Sequence, residues 1–323
     1  MTRLPALSPQ PSEKRVEVVA GVLQRDDGSF LLAQRPAGKV YAGYWEFPGG
    51  KMERDESASC ALARELHEEL GIDVKQTYPW ITRDYDYEHA AVRLRFHRVT
   101  RWSGDLHGRE SQQFAWQRAG ALTVSPLLPA NGPILRALSL PVFYGISNAA
   151  QVGAETFLRR LDAALRQGLR LVQIREKTFL ESELADVVTK TLALARRHGA
   201  SVLLNGNEML AQRLGTGAHL TAARLMEMEA RPDFELVGAS CHDARELAHA
   251  AEIGVDFVVL GPVAETTSHP GARTLGWDRF RELVGDYPLP AYAVGGLRVA
   301  DLEEAWAVGA HGIAAIRGSW PEV

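Results

Sequence analysis

The sequence predicts an α/β chain of two unlike domains, an α+β domain followed by a closed (β/α)8 barrel. Three observations lead there. At 323 residues the chain exceeds what one ordinary core organises and suits about two domains. Up to about Ala137 its apolar residues alternate or form short runs (VEVVAGVLQ, FLLAQR, AVRLRFHRV) around one helical segment, with turn residues at DDG, AGK and SGD. From Leu140 onward eight short apolar strands alternate with amphipathic helical segments: VFYGIS, LRLVQIRE, SVLLNG, AHLTA, LVGASCH, FVVLGPV, AYAVGGL and GIAAIRG. Such alternation implies parallel βαβ units, and eight of them close into a barrel.

The expected organisation is a loose tail over residues 1–15, the α+β domain over 16–139 and the barrel over 140–323, with the boundary near Ser139-Leu140-Pro141. Such barrels usually need at least about 200 residues, more than the second part has, so some helices must be short. The segment from Ala222 to Arg231 has the weakest helical pattern. Composition is that of an ordinary soluble chain, 46% apolar and 24% charged. No segment approaches the roughly 20 uninterrupted apolar residues that cross a bilayer, so no membrane partner is expected. The opening MTRLPALSPQPSEKR lacks the apolar core of a secretory signal, and Cys60 and Cys241, far apart, form no disulfide framework. A cytoplasmic location is expected. The formal charge of −4 provides no broad basic field, which argues against a nucleic-acid polymer and for a small polyphosphate.

In the first domain, RELHEELG (Arg64 to Gly71) sets Glu65, Glu68 and Glu69 at i, i+3 and i+4. On a helix these carboxylates are neighbours and repel. Asp55 is the expected N-cap, acidic charge is expected in the first turn, and Gly71 should close the helix. Leu62, Leu66 and Leu70 form the inward stripe, and the glutamates flank it over an arc of about 100°. Half-shielded from water, such a cluster calls for a cation. Clustered hard oxygens select Mg²⁺ or Mn²⁺, with substrate phosphates completing the shell. Arg64, at i,i+4 to Glu68, is expected to orient and partly neutralise the cluster.

The whole string, Gly50, five residues, Glu56, seven residues, Arg64-Glu65-Leu66, His67, Glu68-Glu69, Leu70, Gly71-Ile72, has a chance frequency on the order of 10⁻⁹ per window. It resembles the Nudix box at every position. Membership implies a Mg²⁺-dependent hydrolase that cleaves a phosphoanhydride of a nucleoside diphosphate linked to another group. Within that family, Trp45-Glu46-Phe47-Pro48-Gly49-Gly50-Lys51 is similar to the MutT-type 8-oxo-dGTP diphosphatases. The resemblance implies metal ligation by Glu65, Glu68, Glu69 and the Gly49 carbonyl, and a substrate-binding set of Arg35, Glu46, Phe47, Pro48, Gly49 and Asn131. In it Phe47 would lie beside the base, and the Asn131 amide would read an oxidised guanine. Glu110 matches a further acidic ligand or base from a later loop; Glu65, Glu68 and Glu110 are all candidates for the general base. Val40 departs from the histidine those enzymes carry, and Tyr85 and Tyr87 are candidate base-pocket walls. The implied substrate is a nucleoside triphosphate, and the implied role is cleansing the nucleotide pool before replication.

In the barrel, Gln173, Arg175 and Lys177 alternate along the second predicted strand and so share a face. A barrel interior cannot bury two unpaired cations, which indicates an anion site at its C-terminal mouth. Gly295-Gly296 and Gly318-Ser319 follow the last two strands, where backbone N–H groups grip phosphate. VFYGIS, QIREK, Asn205, Ser240-Cys241-His242, Gly261-Pro262 and AVGGL resemble thiamine phosphate synthase. That family's metal-binding aspartates are replaced here by Gly206 and by Thr221-Ala222-Ala223-Arg224, and His269 replaces a lysine. The expectation is a TIM barrel that keeps a phosphate or thiamine-precursor site but is catalytically weak or dead. Two alternatives stand beside it. The chain is then bifunctional in thiamine synthesis, joining a transferase to a diphosphate hydrolase, or the barrel is a sensor of a phosphorylated ligand.

Overall fold

A computed structural model describes residues 15–108, 113–265 and 274–322. It divides into two compact units, one of Met1–Thr77, Thr82–Gln117 and Val124–Ala130, the other of Tyr78–Ile81, Arg118–Thr123 and Asn131–Val323.

In the first unit the elements are β1 (Val16–Leu23), β2 (Phe30–Gln34), β3 (Trp45–Glu46), β4 (Gly49–Lys51), α1 (Ala58–Leu70), β5 (Asp73–Tyr87), β6 (Ala90–Ser103) and β7 (Phe114–Gln117). They form two sheets, ordered β4-β1-β6-β5 and β3-β2-β7. The pair β1 and β6 is parallel from Val16↔Val92 to Leu23↔Val99, whereas β4 runs antiparallel to β1. The predicted leucine stripe packs inward: Leu62, Leu66 and Leu70 of α1 are fully buried with Val19, Leu23, Leu31 and Val99. Gly21 lets the helix approach. A β-carbon there would lie 3.1 Å from Leu62 Cδ1 and 3.2 Å from Leu66 Cδ1.

The helix boundaries correct one expectation. The N-cap is Ser57, whose hydroxyl accepts from the Cys60 N–H, and no acidic residue stands in the first turn. Asp55 instead adopts φ 64°, a left-handed turn conformation that aspartate tolerates. Gly71 closes the helix at φ 72°, as its position predicts.

The short helix α2 (Gly132–Leu138) leads into the barrel. All eight predicted strands are present: β8 (Phe143–Ile146), β9 (Leu171–Ile174), β10 (Ser201–Asn205), β11 (Gly217–Leu220), β12 (Val237–Cys241), β13 (Phe257–Leu260), β14 (Ala291–Val294) and β15 (Gly312–Ala315). Each pairs in parallel with the next, and β15 closes on β8. The helices α3 (Ala149–Val152), α4 (Ala154–Arg166), α5 (Glu181–Arg197), α6 (Glu208–Leu214), α7 (Ala222–Glu227), α8 (Ala244–Ile253), α9 (Gly276–Val284) and α10 (Leu302–Ala307) cover it. The economy of length falls on the helices, since α7 and α10 have only 6 residues each. Inside, Tyr144, Phe257 and Tyr292 fill the bore with ring centroids 5.2–5.7 Å apart. It is a packed core, not a pore. No helix among the described residues is long and apolar enough to cross a membrane.

One buried group makes the fold pH-sensitive. His97, on β6, is 8% exposed, and its Nδ1 has no hydrogen-bond partner. Burial, and then the charge of Arg95, lowers its pKa to about 4. Below about pH 6.5 the unfolded chain takes up a proton that the folded imidazole refuses. Stability is therefore intact above that pH and is lost as pH falls toward about 4, by up to about 3 kcal/mol from this group. His97→Phe should remove that part of the loss, seen as a smaller drop in denaturant midpoint between about pH 7.5 and 4.5 than in the parent.

Candidate functional site

In the first unit the acidic helix is organised by Arg64. Its Nη2 and Nε donate to Glu56 Oε2 and Oε1 at 3.0 and 3.1 Å, its Nη1 to Glu65 Oε1 at 2.9 Å and Glu68 Oε2 at 3.4 Å, and Nη2 also to the Lys51 carbonyl at 3.1 Å. One guanidinium thus binds three carboxylates. Those hydrogen bonds, first to Glu56 and then to Glu65, hold its pKa above the usual arginine value, and Arg64 in turn keeps Glu56 below the usual carboxylate range. The side chains of Glu65 and Glu68 are 16% and 57% exposed, so Glu65 is shielded while Glu68 reaches solvent.

Glu69 is held by the backbone instead. Its Oε2 accepts from the Gly49 N–H at 3.2 Å. Burial, reinforced by the nearby charge of Glu46, pushes its pKa up to about 8. Two glycines make room for this arrangement. Gly49 has φ 148°, and a β-carbon there would lie 2.2 Å from the Val19 carbonyl oxygen. A β-carbon on Gly50 would lie 2.2 Å from the Glu65 carboxyl.

Among the described residues, no three His, Cys, Asp or Glu side chains are grouped as a ready metal cage. Glu65 and Glu68 are bound to Arg64, and Glu69 to a backbone N–H. By chemistry the donors still fit a hard divalent cation. All are oxygens, and burial, with the charges of Glu46 and Glu65 adding to it, raises the pKa of Glu69. Glu110, the expected donor from a later loop, lies outside the described residues.

The expected substrate side chains fall into three groups. Arg35 is engaged internally, donating from Nη1 to both oxygens of Glu46 at 2.6 and 2.7 Å and from Nε to the Val40 carbonyl at 2.7 Å. Burial raises the Glu46 pKa against this pairing. Beside the pair, Tyr41, Tyr85 and Tyr87 cluster, with centroids 4.5 Å apart for Tyr85–Tyr87 and 5.6 Å for Tyr41–Tyr87. Phe47 is 3% exposed and packs between Phe30 and Phe96, so its ring belongs to the core. Pro48 is buried, and its carbonyl accepts from the Gly21 N–H at 2.8 Å. Asn131, 4% exposed, stands at the start of α2 and groups with the second unit.

At the barrel's C-terminal mouth a cavity of about 810 Å³ opens. Of the predicted anion-site residues, Gln173, Arg175, Gly295, Gly296 and Gly318 line it. Lys177 and Ser319 do not. Strand β9 ends at Ile174, so Arg175 and Lys177 lie in the following loop rather than on a strand face, and Lys177 is exposed. The Ser319 hydroxyl donates to the Ala315 carbonyl at 2.9 Å. Sequence reasoning missed Arg298, which faces the cavity from a loop, Arg317, which faces it from a 3-10 turn over Arg317–Ser319, and His219. For His219 a signal existed, a polar residue inside the apolar run AHL. The cavity's one acidic lining residue among those described is Glu265, against Arg175, Arg298 and Arg317. At the replaced aspartates, Gly206 takes φ 66°, the Thr221 hydroxyl caps α7, and Arg224 pairs with Glu208 at 3.2 Å and Glu227 at 3.1 Å. His269 lies outside the described residues.

Gly50→Ala tests the acidic site separately from the fold. The obstructed neighbour is the end of a flexible side chain, so stability should stay within about 1 kcal/mol of the parent by thermal unfolding. Displaced Glu65 should lower kcat/KM for nucleotide hydrolysis by at least about tenfold.

Two family models match the chain. A family model for the NUDIX domain matches residues 19–137, and one for thiamine monophosphate synthase matches residues 143–318. The CTP pyrophosphohydrolase of Escherichia coli (strain K12) is 41% identical over 124 residues, 38% of this chain and 91% of that protein. An 8-oxo-dGTP diphosphatase of Haemophilus influenzae is 33% identical over 126 residues, 39% of this chain and 93% of that protein. In the second part, the putative thiamine-phosphate synthase 2 of Aquifex aeolicus (strain VF5) is 32% identical over 183 residues, 55% of this chain and 97% of that protein. The chain belongs to the Nudix family through its first part and to the thiamine monophosphate synthase family through its second.

Proposed function

We propose that the Nudix part, a pyrophosphohydrolase, acts on purine deoxynucleoside triphosphates, oxidised ones such as 8-oxo-dGTP included, and releases the monophosphate and pyrophosphate. Cleansing of the nucleotide pool is the corresponding role. The observation that carries this reading is the carboxylate cluster of α1, spaced as Nudix hydrolysis requires and held in place by Arg64. Glu65, Glu68, Glu69 and the Gly49 carbonyl would hold Mg²⁺, or Mn²⁺ in its place. Such an ion supplies Lewis-acid charge to phosphate oxygens and makes water acidic enough to attack phosphorus. Arg64 aims Glu65 and Glu68, and either carboxylate can take the water's proton. Arg35 and Glu46, with the tyrosines beside them, form the wall for the nucleoside.

For the barrel the same reading is an organic-phosphate or thiamine-precursor site with weak or absent synthase activity, within residues 140–323; the hydrolase domain then spans 16–139. Among the described residues, three arginines and a single carboxylate face the cavity. A metal-bridged diphosphate leaving group therefore lacks its carboxylate anchors.

The test incubates the full chain and Mg²⁺ with 8-oxo-dGTP, dGTP, CTP, ADP-ribose and thiamine diphosphate, separating the products. Monophosphate and pyrophosphate from 8-oxo-dGTP are expected, with Glu68→Gln at least about a hundredfold slower in kcat. Unchanged turnover in that variant, or cleavage of thiamine diphosphate alone, would overturn the hydrolase reading. Robust formation of thiamine phosphate from its two precursor phosphates would overturn the barrel reading.

A further inference from the structure

Between the two cations that follow β9 stands a carboxylate that pairs with neither. Glu176 is 8% exposed, and both of its oxygens are taken by the loop after β8. Oε1 accepts from the Ser147 hydroxyl and, at 2.7 Å, from the Ala149 N–H, and Oε2 accepts from the Ala150 N–H at 2.8 Å. Ser147, 3% exposed, is fixed in turn: its N–H donates to the Gln173 carbonyl at 2.8 Å, and its Oγ accepts from the Arg175 N–H at 2.9 Å. The ladder between β8 and β9 ends at Ile146↔Gln173, so these bonds carry the connection onward into the two loops.

The arrangement runs against the simplest electrostatics. A shielded carboxylate flanked in sequence by Arg175 and Lys177 has every reason to pair with one of them. Arg64 and Glu65, also adjacent in sequence, do so at 2.9 Å. Glu176 instead gives its charge to Ser147 and to the opening N–H groups of α3, which would otherwise lack partners. The consequence shows on the cations. Burial lowers the Arg175 pKa against the opposing charge of Glu176, and the charge of Arg175, more than burial, lowers that of Lys177. Arg175 carries its charge to the cavity, whereas neither Ser147 nor Glu176 lines it.

We propose that Ser147 and Glu176 are positioning residues that act as a charge restraint: the Ser147 hydroxyl and the α3 N–H groups hold the Glu176 carboxylate off the Arg175 guanidinium, so that Arg175 stays available to an anionic group in the cavity. Released from that hold, the carboxylate competes with the anion for the same guanidinium. The inference rests on reading the cavity as an anion receptor, so the experiment separates the two.

The full chain, kept in EDTA so that metal-dependent polyphosphate binding elsewhere is silent, is titrated calorimetrically with inorganic phosphate. Ser147→Ala should weaken phosphate at least about fivefold, and adding Glu176→Gln should bring the affinity back to within about twofold of the parent, because an amide has no charge with which to quench Arg175. A merely structural role gives the opposite order, since a second lost contact deepens the damage of the first. Unchanged affinity in Ser147→Ala, or a double variant as weak as that single one, overturns the restraint. Glu176→Asp asks the same question from the other side. It keeps the charge but is too short to reach its partners, and should weaken phosphate at least about tenfold, while Glu176→Gln alone stays within about threefold. An aspartate variant milder than the glutamine one overturns the restraint as well. Failure of phosphate to bind the parent overturns the receptor reading instead.

Discussion

Arg64 holds together a set of like charges that would otherwise push apart. Its guanidinium reaches Glu56 before the helix, Glu65 and Glu68 on it, and the Lys51 carbonyl of β4. The strand that presents Gly49 and the helix that presents the glutamates are therefore joined through a single cation. Exposed ion pairs are individually worth little, and the Glu68 arm is of that kind. The stronger constraint is geometric, because a planar fork bound to several carboxylates leaves few ways to place them. Glu69, which the fork does not hold, is the glutamate of the cluster whose pKa burial raises.

The two parts answer opposite electrostatic problems. In the first, carboxylates gather beside a buried leucine stripe, and the missing charge is positive. In the second, arginines gather at the mouth of a packed barrel, and the missing charge is negative. Both solutions depend on backbone that passes unusually close. Gly50 makes room for the Glu65 carboxyl; at Gly295, with φ 117°, a β-carbon would lie 2.8 Å from Val263 N. Side chains at these points would fill the space that the site needs.

Much of this was legible in the sequence because it rests on local periodicity. The i+4 leucines, the closing Gly71 and the eight short apolar strands are read within a few residues of themselves, and all appear where expected. The departures have local causes too. Asp55 and Ser57 both resemble caps, and the hydroxyl that meets the Cys60 N–H is that of Ser57. Alternation of Gln173, Arg175 and Lys177 resembled a longer strand, but β9 stops at Ile174. What the sequence could not display was meeting across the fold. His219 and Ser240 are 21 positions apart, and Tyr144 lies 75 from His219. Phe47 likewise sits in an expected motif, yet its ring turns into the core against Phe30 and Phe96. Strand pattern gives the face of a residue but not which neighbour completes it.

The central claim is that the α1 carboxylates are poised for a divalent cation, and manganese titration of the full chain followed by electron paramagnetic resonance tests it most directly. Saturable Mn²⁺ binding that Mg²⁺ displaces, weakened at least about tenfold by Glu65→Gln and by Glu68→Gln, is the predicted result. Absence of binding, or binding unaltered in both variants, would contradict it.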